Sequence, residues 1–220
     1  MENVFDRRTV EQGHTIISER FYNFIIGLTL CWGFGINYLM VKHVSPGFAL
    51  QYGFWPFIIA YFGMCFLGIY LFTKSDNPLI SFLGYNLVVV PFGFVINVVV
   101  SQYSPSLVLQ AVQMTGIVTL IMMFLGTLFP AFFKKIVGAL TIALFAMIIV
   151  ELVAIFILNT HHTIIDWIVA AIFCGYIGYD WGRAQQIPKT VDNAVDSAAA
   201  LYMDIINLFL RILRIMGRRR

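Results

Sequence analysis

Residues 198–217 read AAALYMDIINLFLRILRIMG, and this stretch decides the fold. Its four polar side chains follow one another at intervals of three, four and three residues: Asp204, Asn207, Arg211 and Arg214. This spacing predicts a helix that carries all four on one face, with isoleucine, leucine and phenylalanine around the rest. Because a polar stripe on an apolar helix does not face lipid, we expect this helix to be surrounded by other helices or by water.

The composition of the whole chain is typical of a membrane protein. Of its 220 residues, 60% are hydrophobic and 11% are charged, whereas a soluble domain carries about 25% charged residues. A chain with so few polar residues cannot cover its own surface with polar groups. The composition therefore predicts an all-α integral membrane protein, because a helix satisfies its backbone hydrogen bonds internally in lipid.

Seven apolar segments are long enough to cross a bilayer, which takes about 20 helical residues. The predicted spans are residues 22–42, 54–73, 79–101, 106–129, 136–158, 163–183 and 199–216. We predict one seven-helix transmembrane domain over residues 21–217, after a polar segment at 1–20 and before a basic tail at 218–220. The first span is too long for the core of a signal peptide and lacks a small-residue cleavage site, so we expect it to stay in place.

The connections carry further expectations. The longest is predicted at residues 184–198, with Asp192 and Asp196 just before the last helix, where its dipole favours carboxylates. Pro91 is expected to kink the third span, and His161-His162 is expected in a polar loop. With the N-terminus inside, Lys and Arg fall mainly on the inner side, except in the tail. The last segment either crosses or re-enters, and we favour crossing.

Three acidic residues stand out within the predicted spans, where an ionisable group is costly and points to a function. They are Glu151, Asp180 and Asp204. Asp204 is too far from the end of its helix to reach the headgroups, so we favour an internal role for it. Glu151 either hydrogen-bonds as a neutral acid or lines an aqueous path. For Arg214 we favour simple extension to the headgroups.

Asp180 and Asp204 fall on the same, inner side of the membrane if the last two segments both cross. Gly175, Gly178 and Gly182 form a small-residue face that lets another helix come close. Two positions for Asp180 stay open: contact with Asp204, or the water interface. Carboxyl groups in contact share a proton and titrate as a unit, and they offer hard oxygens to Ca²⁺, although two alone make a weak site.

Three stretches resemble the Bax inhibitor-1 family, also called the transmembrane Bax inhibitor motif (TMBIM) family. They are residues 77–97 (NPLISFLGYNLVVVPFGFVIN), 178–188 (GYDWGRAQQIP) and, above all, 198–217. The last is similar to the family's C-terminal signature through L-Y-x-D-I-I-N-L-F-L. In the second stretch, Trp181-Gly182 stands where the family's Y-D-T-Q-x-I element has Thr-Gln.

The resemblance implies a seven-helix fold whose C-terminal helix is central and wrapped by the other six. It also implies that Asp180 and Asp204 are a hydrogen-bonded pair that senses pH and gates a Ca²⁺ leak. Asn207 and Arg211 would then line the same internal face, with Glu151 as a further pathway residue. Bacterial members resemble this chain in their short termini, so a bacterial plasma membrane is favoured over endoplasmic reticulum or Golgi membranes.

One departure concerns the cation near the aspartates. Some relatives supply an arginine from the second helix, but residues 54–73 contain no Lys or Arg. Arg183 and Arg211 are the candidates to replace it.

Three other functions stay open. Tyr179-Asp180 matches the Tyr-Asp pair of intramembrane aspartyl proteases, but Asp204 lacks their preceding G-x-G and no P-A-L element is present, so we expect no enzymatic activity. The chain could instead be a regulatory interaction protein without transport, or an H⁺-coupled transporter that uses Glu151. We expect the lipid bilayer, Ca²⁺ and H⁺ as partners, no nucleic acid and no cofactor. The sequence is compatible with a monomer.

Overall fold

The computed structural model describes residues 15–48, 51–157 and 163–218. Within them the chain is all-α, as predicted, with seven helices: α1 (Glu19–His43), α2 (Phe54–Lys74), α3 (Pro78–Val100), α4 (Pro105–Leu128), α5 (Pro130–Phe156), α6 (Thr163–Ala184) and α7 (Val191–Gly217). His161-His162 and the last two tail residues lie outside the described residues, so the expectations for them stay predictions.

Six of the described helices, α1 to α6, are long and apolar enough to cross a membrane. The chain is therefore a multi-pass integral membrane protein. The seventh helix is 27 residues long, which also suffices to cross, but it is more polar than the others. Its charged residues are Asp192, Asp196, Asp204, Arg211 and Arg214. Full crossing by α7 stays a prediction.

Local sequence signals fix where several helices begin. The Ser18 side chain accepts a hydrogen bond from the Phe21 amide at 3.3 Å, which caps α1. Asn77 caps α3 in the same way, through the Leu79 amide at 2.9 Å. Pro130 occupies the first turn of α5, a position that suits proline because it needs no amide donor. The predicted start of this helix at residue 136 was therefore late.

The largest error in the predicted boundaries concerns the start of α7. The helix begins at Val191, where the sequence predicted a loop up to residue 198. Thr190 caps it, because its hydroxyl accepts a hydrogen bond from the Asn193 amide at 3.1 Å. Asp192 lies in the first turn, where the helix dipole still favours it, but Asp196 lies deeper inside the helix. Both are buried, so the polar residues that suggested a loop are held by protein contacts.

The helices form two compact units, and α7 contributes to both. The first unit contains α1, α2, α3 and α7 up to Tyr202. The second contains α4, α5, α6 and α7 from Met203 onward. Most side chains of α7 are buried. Helices α1 and α3 contact it within the first unit, and α5 and α6 contact it within the second. This agrees with the predicted surrounded position of the C-terminal helix.

In the first unit, polar side chains of α7 pair with α1 and α3. Ser81 donates a hydrogen bond to Asp192 Oδ1 at 2.7 Å. The hydroxyls of Tyr22 and Ser197 are hydrogen-bonded at 3.1 Å. Asn37 of α1 donates to the hydroxyl of Tyr202. These contacts satisfy buried polar groups that would be costly against lipid.

In the second unit, glycines bring helix backbones close together. A Cβ atom on Gly178 would meet the ring of Phe133 in α5, and one on Gly182 would meet the backbone of Gly126 in α4. A Cβ atom on Gly175 would meet Leu140, also in α5. The small-residue face of α6 therefore allows close approach, as predicted, and the helices that use it are α4 and α5.

Candidate functional site

The second unit brings Asp180 of α6 and Asp204 of α7 together. Their carboxyl groups share a side-chain hydrogen bond, and each residue is only 8% exposed. An ionised carboxylate can only accept hydrogen bonds, so a bond between two carboxyl groups requires a proton on one of them. Of the two positions that the sequence left open for Asp180, the structure shows contact with Asp204.

A positive charge lies beside this aspartate pair, Asp180 and Asp204. Arg183 Nη1 is 3.9 Å from Asp180 Oδ1, and the two residues are one helical turn apart in α6. Arg211, the other candidate for this position, binds different carboxylates. Arg183 therefore compensates part of the negative charge of the pair. It lies on α6, the helix of Asp180, and not on the second helix as in some relatives.

The surroundings of the pair are poor in further ligands. Asp204 Oδ2 is buried, and no described residue outside the pair forms a hydrogen bond with it. Tyr176 interacts electrostatically with both aspartates, but its hydroxyl donates to Thr141 Oγ1 at 2.9 Å. Across residues 15–48, 51–157 and 163–218, no group of three or more His, Cys, Asp or Glu side chains could hold a metal ion. The two carboxylates alone could bind Ca²⁺ only weakly.

Glu151 lies in a second charged cluster, further along α7. Arg211 holds it with two parallel hydrogen bonds, Nη1 to Oε1 at 2.9 Å and Nη2 to Oε2 at 2.7 Å. Arg214 Nη1 donates to the same Oε1 at 3.0 Å. Glu151 is thus a paired carboxylate and not the neutral acid considered above. The prediction that Arg214 only extends to the headgroups is wrong, because it also forms this ion pair.

Asp166 completes this charged cluster from the first turn of α6. It is 2% exposed and accepts a hydrogen bond from Arg211 Nη1 at 3.0 Å. Arg214 Nη1 lies 3.5 Å from its Oδ1, and Arg218 Nη1 lies 3.3 Å from its Oδ2. The outer cluster, as we call Glu151, Asp166, Arg211, Arg214 and Arg218, is a connected network of two acids and three arginines.

Asn207 lies on α7 between the aspartate pair and the outer cluster. Its side-chain amide donates to the Met203 carbonyl of its own helix at 2.8 Å. Asp204 and Arg211 are seven residues apart, or roughly 10 Å along the helix axis. The polar stripe predicted from the sequence therefore connects two ionisable clusters, while the pathway role of Asn207 stays a prediction.

Comparison with known proteins assigns the chain to a family. Residues 14–220 match the family model described as inhibitor of apoptosis-promoting Bax1. The chain belongs to the Bax inhibitor-1 family. The match includes the first two helices, where the resemblance of the sequence was weakest.

Relatives of this Bax inhibitor-1 family member occur in fungi, plants and bacteria. It is 27% identical over 187 residues to Bax inhibitor 1 of Schizosaccharomyces pombe, which covers 83% of this chain and 68% of the relative. It is 28% identical over 153 residues to Protein LIFEGUARD 3 of Arabidopsis thaliana, covering 66% and 60%. An uncharacterized protein of Helicobacter pylori strain J99 is 29% identical over 168 residues, covering 73% and 68%.

Asp166 is the charged residue that sequence reasoning missed in this family member. It lies at the start of the sixth predicted span, where an acidic residue resembles an ordinary interfacial one. A usable signal was present nevertheless. Arg211 and Arg214 share one face of α7, and Arg218 follows its last residue. Arginines packed among helices need carboxylates at the same depth, and Asp166 and Glu151 provide them.

Proposed function

We propose that this Bax inhibitor-1 family protein mediates a passive, pH-sensitive Ca²⁺ leak across its membrane. The observation that carries the proposal is the buried, hydrogen-bonded pair of Asp180 and Asp204. Ionisable residues of this kind inside a membrane domain mark ion or proton pathways. The bacterial relatives favour a bacterial plasma membrane as its location.

The number of protons on the pair decides which contacts hold α6 against its neighbouring part of α7. With one proton, the hydrogen bond between Asp180 and Asp204 and the ion pair with Arg183 can exist together. With none, two negative charges repel each other in a poorly solvated site. With two, Arg183 loses its anionic partner. A change of pH therefore changes the contact between these two helices.

Calcium is the ion that the chemistry of the pair favours. Ca²⁺ takes carboxylate oxygens as ligands, and Asp204 Oδ2 has no hydrogen-bond partner outside the pair among the described residues. A site of only two carboxylates would bind Ca²⁺ weakly, which suits an ion that must leave again. Asn207 continues the polar stripe from this point along α7.

The test is Ca²⁺ entry into sealed proteoliposomes that contain only this protein. The pH is scanned from about 5 to 8, where a coupled pair of buried carboxyl groups should titrate. We expect a flux whose pH dependence is lost in Asp180→Asn and in Asp204→Asn. Asp76→Asn, in the connection between α2 and α3, is the matched control and should keep it. A flux with unchanged pH dependence in both pair variants would contradict the proposal.

The alternative is a regulatory membrane protein without intrinsic transport. The name of the fission yeast relative, Bax inhibitor 1, describes an inhibitor and not a channel. If the pure protein gives no flux above that of empty liposomes at any pH, and co-purifies with a stoichiometric partner, this alternative replaces the channel. Asp180 and Asp204 would then serve only to pack α6 against α7.

A further inference from the structure

We infer that the C-terminal end of α7 binds the phosphate group of an anionic phospholipid through Arg214 and Arg218. This inference does not depend on the proposed Ca²⁺ flux, because it rests on the outer cluster and not on the aspartate pair.

The outer cluster lies at the depth of the lipid headgroups. Glu151 is five residues before the end of α5 at Phe156, in the last turns of that helix. Asp166 lies in the first turn of the next span, which begins at Thr163. The ends of spanning helices lie where the hydrocarbon core meets the headgroups. Since Arg214 and Arg218 contact these residues, their guanidinium groups lie at the same level.

The charges of the outer cluster do not cancel. Arg211, Arg214 and Arg218 contribute three positive charges, and Glu151 and Asp166 contribute two negative ones, which leaves a net charge of +1. A positive charge at the headgroup level attracts anionic lipids. The cluster is therefore complementary to one further negative group.

Two of the arginines have hydrogen-bonding capacity left for such a group. Arg211 uses both terminal nitrogens, and its side chain is 14% exposed. Arg214 and Arg218 make their contacts through Nη1 alone, and their side chains are 32% and 33% exposed. A guanidinium group carries five N–H donors, and its forked geometry matches the oxygens of a phosphate. The Nη2 groups of Arg214 and Arg218 have no hydrogen-bond acceptor in the described part of the chain.

A lipid suits this position better than a dissolved anion. Its phosphate is held at the headgroup level by the acyl chains, and the exposed apolar residues of α5 around Glu151, such as Ile148 and Leu152, can contact those chains. A soluble phosphate ion gains nothing from such apolar surroundings.

The test measures binding of phosphatidylglycerol to the purified full-length chain in detergent by native mass spectrometry, with phosphatidylcholine as the neutral comparison. We expect the wild type to bind phosphatidylglycerol more tightly than phosphatidylcholine. Arg218→Gln and Arg214→Gln should each bind phosphatidylglycerol about fivefold more weakly than the wild type does. Arg218→Lys should keep most of the affinity because it keeps the charge. Lys134→Gln, an exposed cation in the first turns of α5, is the control and should leave binding unchanged.

Two results would overturn the inference. The first is the absence of specificity, seen either as equal affinity for the two lipids or as an equal loss of affinity for phosphatidylglycerol in Lys134→Gln and Arg218→Gln. Either would show that no specific site exists. The second is complete displacement of phosphatidylglycerol by millimolar inorganic phosphate, which would show a site for a free anion. If Arg214→Gln fails to fold, Arg218→Gln decides alone, because Arg218 is at the rim of the cluster and Asp166 keeps Arg211 as a partner.

Discussion

Replacing Asp166 with asparagine tests whether the outer cluster is a buried ion network that stabilises the fold. Asparagine has nearly the same size, so packing changes little and the main loss is one negative charge. The three arginines Arg211, Arg214 and Arg218 then face only Glu151, and the net charge of the cluster rises from +1 to +2.

The expected cost follows from burial. Removing one partner of a buried ion pair typically costs 3–5 kcal/mol, because the other charge stays buried without compensation. Asp166 is 2% exposed, but Arg214 and Arg218 are about one-third exposed and can turn toward water. We therefore expect the lower end of that range, a decrease of about 3 kcal/mol in the free energy of unfolding.

The measurement is reversible unfolding of the purified protein in mixed micelles, with Asp76→Asn as the matched control. A double-mutant cycle with Arg211→Gln isolates the pairwise energy, and the double variant should be less destabilised than the sum of the two single variants. A loss in Asp166→Asn no larger than that of the Asp76 control would refute the reasoning, since the carboxylate would then be neither buried nor paired.

Two further predictions concern the first unit. Burial lowers the pKa of Lys189, which lies in the connection between α6 and α7, although nearby Glu19 acts in the opposite direction. Between the lowered pKa and the usual 10.5, the unfolded chain binds more protons at this position than the folded chain does. The contribution of Lys189 to the free energy of unfolding should therefore rise with pH across that window. Unfolding followed from pH 8 upward should show a more positive slope in the wild type than in Lys189→Met. In the second case, a methyl group on Gly84 would meet the backbone of Gly68 and α2, so Gly84→Ala should cost roughly 1–3 kcal/mol. A methyl group on Gly116 would lie in open space, so Gly116→Ala should leave the thermal midpoint nearly unchanged. Equal midpoints for Gly84→Ala and Gly116→Ala would show that α2 and α3 do not pack this closely.

The helices of this fold could be predicted because lipid imposes a simple rule on sequence. A span needs a long apolar run, and six such runs coincide with α1 to α6. The rule fails for the first turns of α7, since a helix surrounded by protein can carry polar residues such as Asp192 and Ser197 when partners satisfy them. From sequence alone, such a segment has the composition of a loop.

The candidate site was predictable to a similar extent. The spacing on α7 placed Asp204 and Arg211 on one face, and the antiparallel order of the last two helices placed Asp180 near Asp204. The side-chain partners were not predictable, because contacts between helices depend on rotation about each helix axis, which composition does not encode. For this reason the pairing of Glu151 with Arg211 and the part played by Asp166 became visible only in the structure.

The dense pairing of α7 has a consequence for the biogenesis of this protein. A charged residue near the centre of an isolated helix costs about 2.5–3.5 kcal/mol to insert, and α7 carries several. Its partners Glu151, Asp166 and Asp180 all belong to helices that are synthesised earlier. Glu151 and Asp166 are therefore synthesised before Arg211 and Arg214, the arginines with which they pair. We therefore expect the preceding helices to assist the entry of α7 into the membrane, and loss of Glu151 or Asp166 should appear first as failed insertion in a translocation assay.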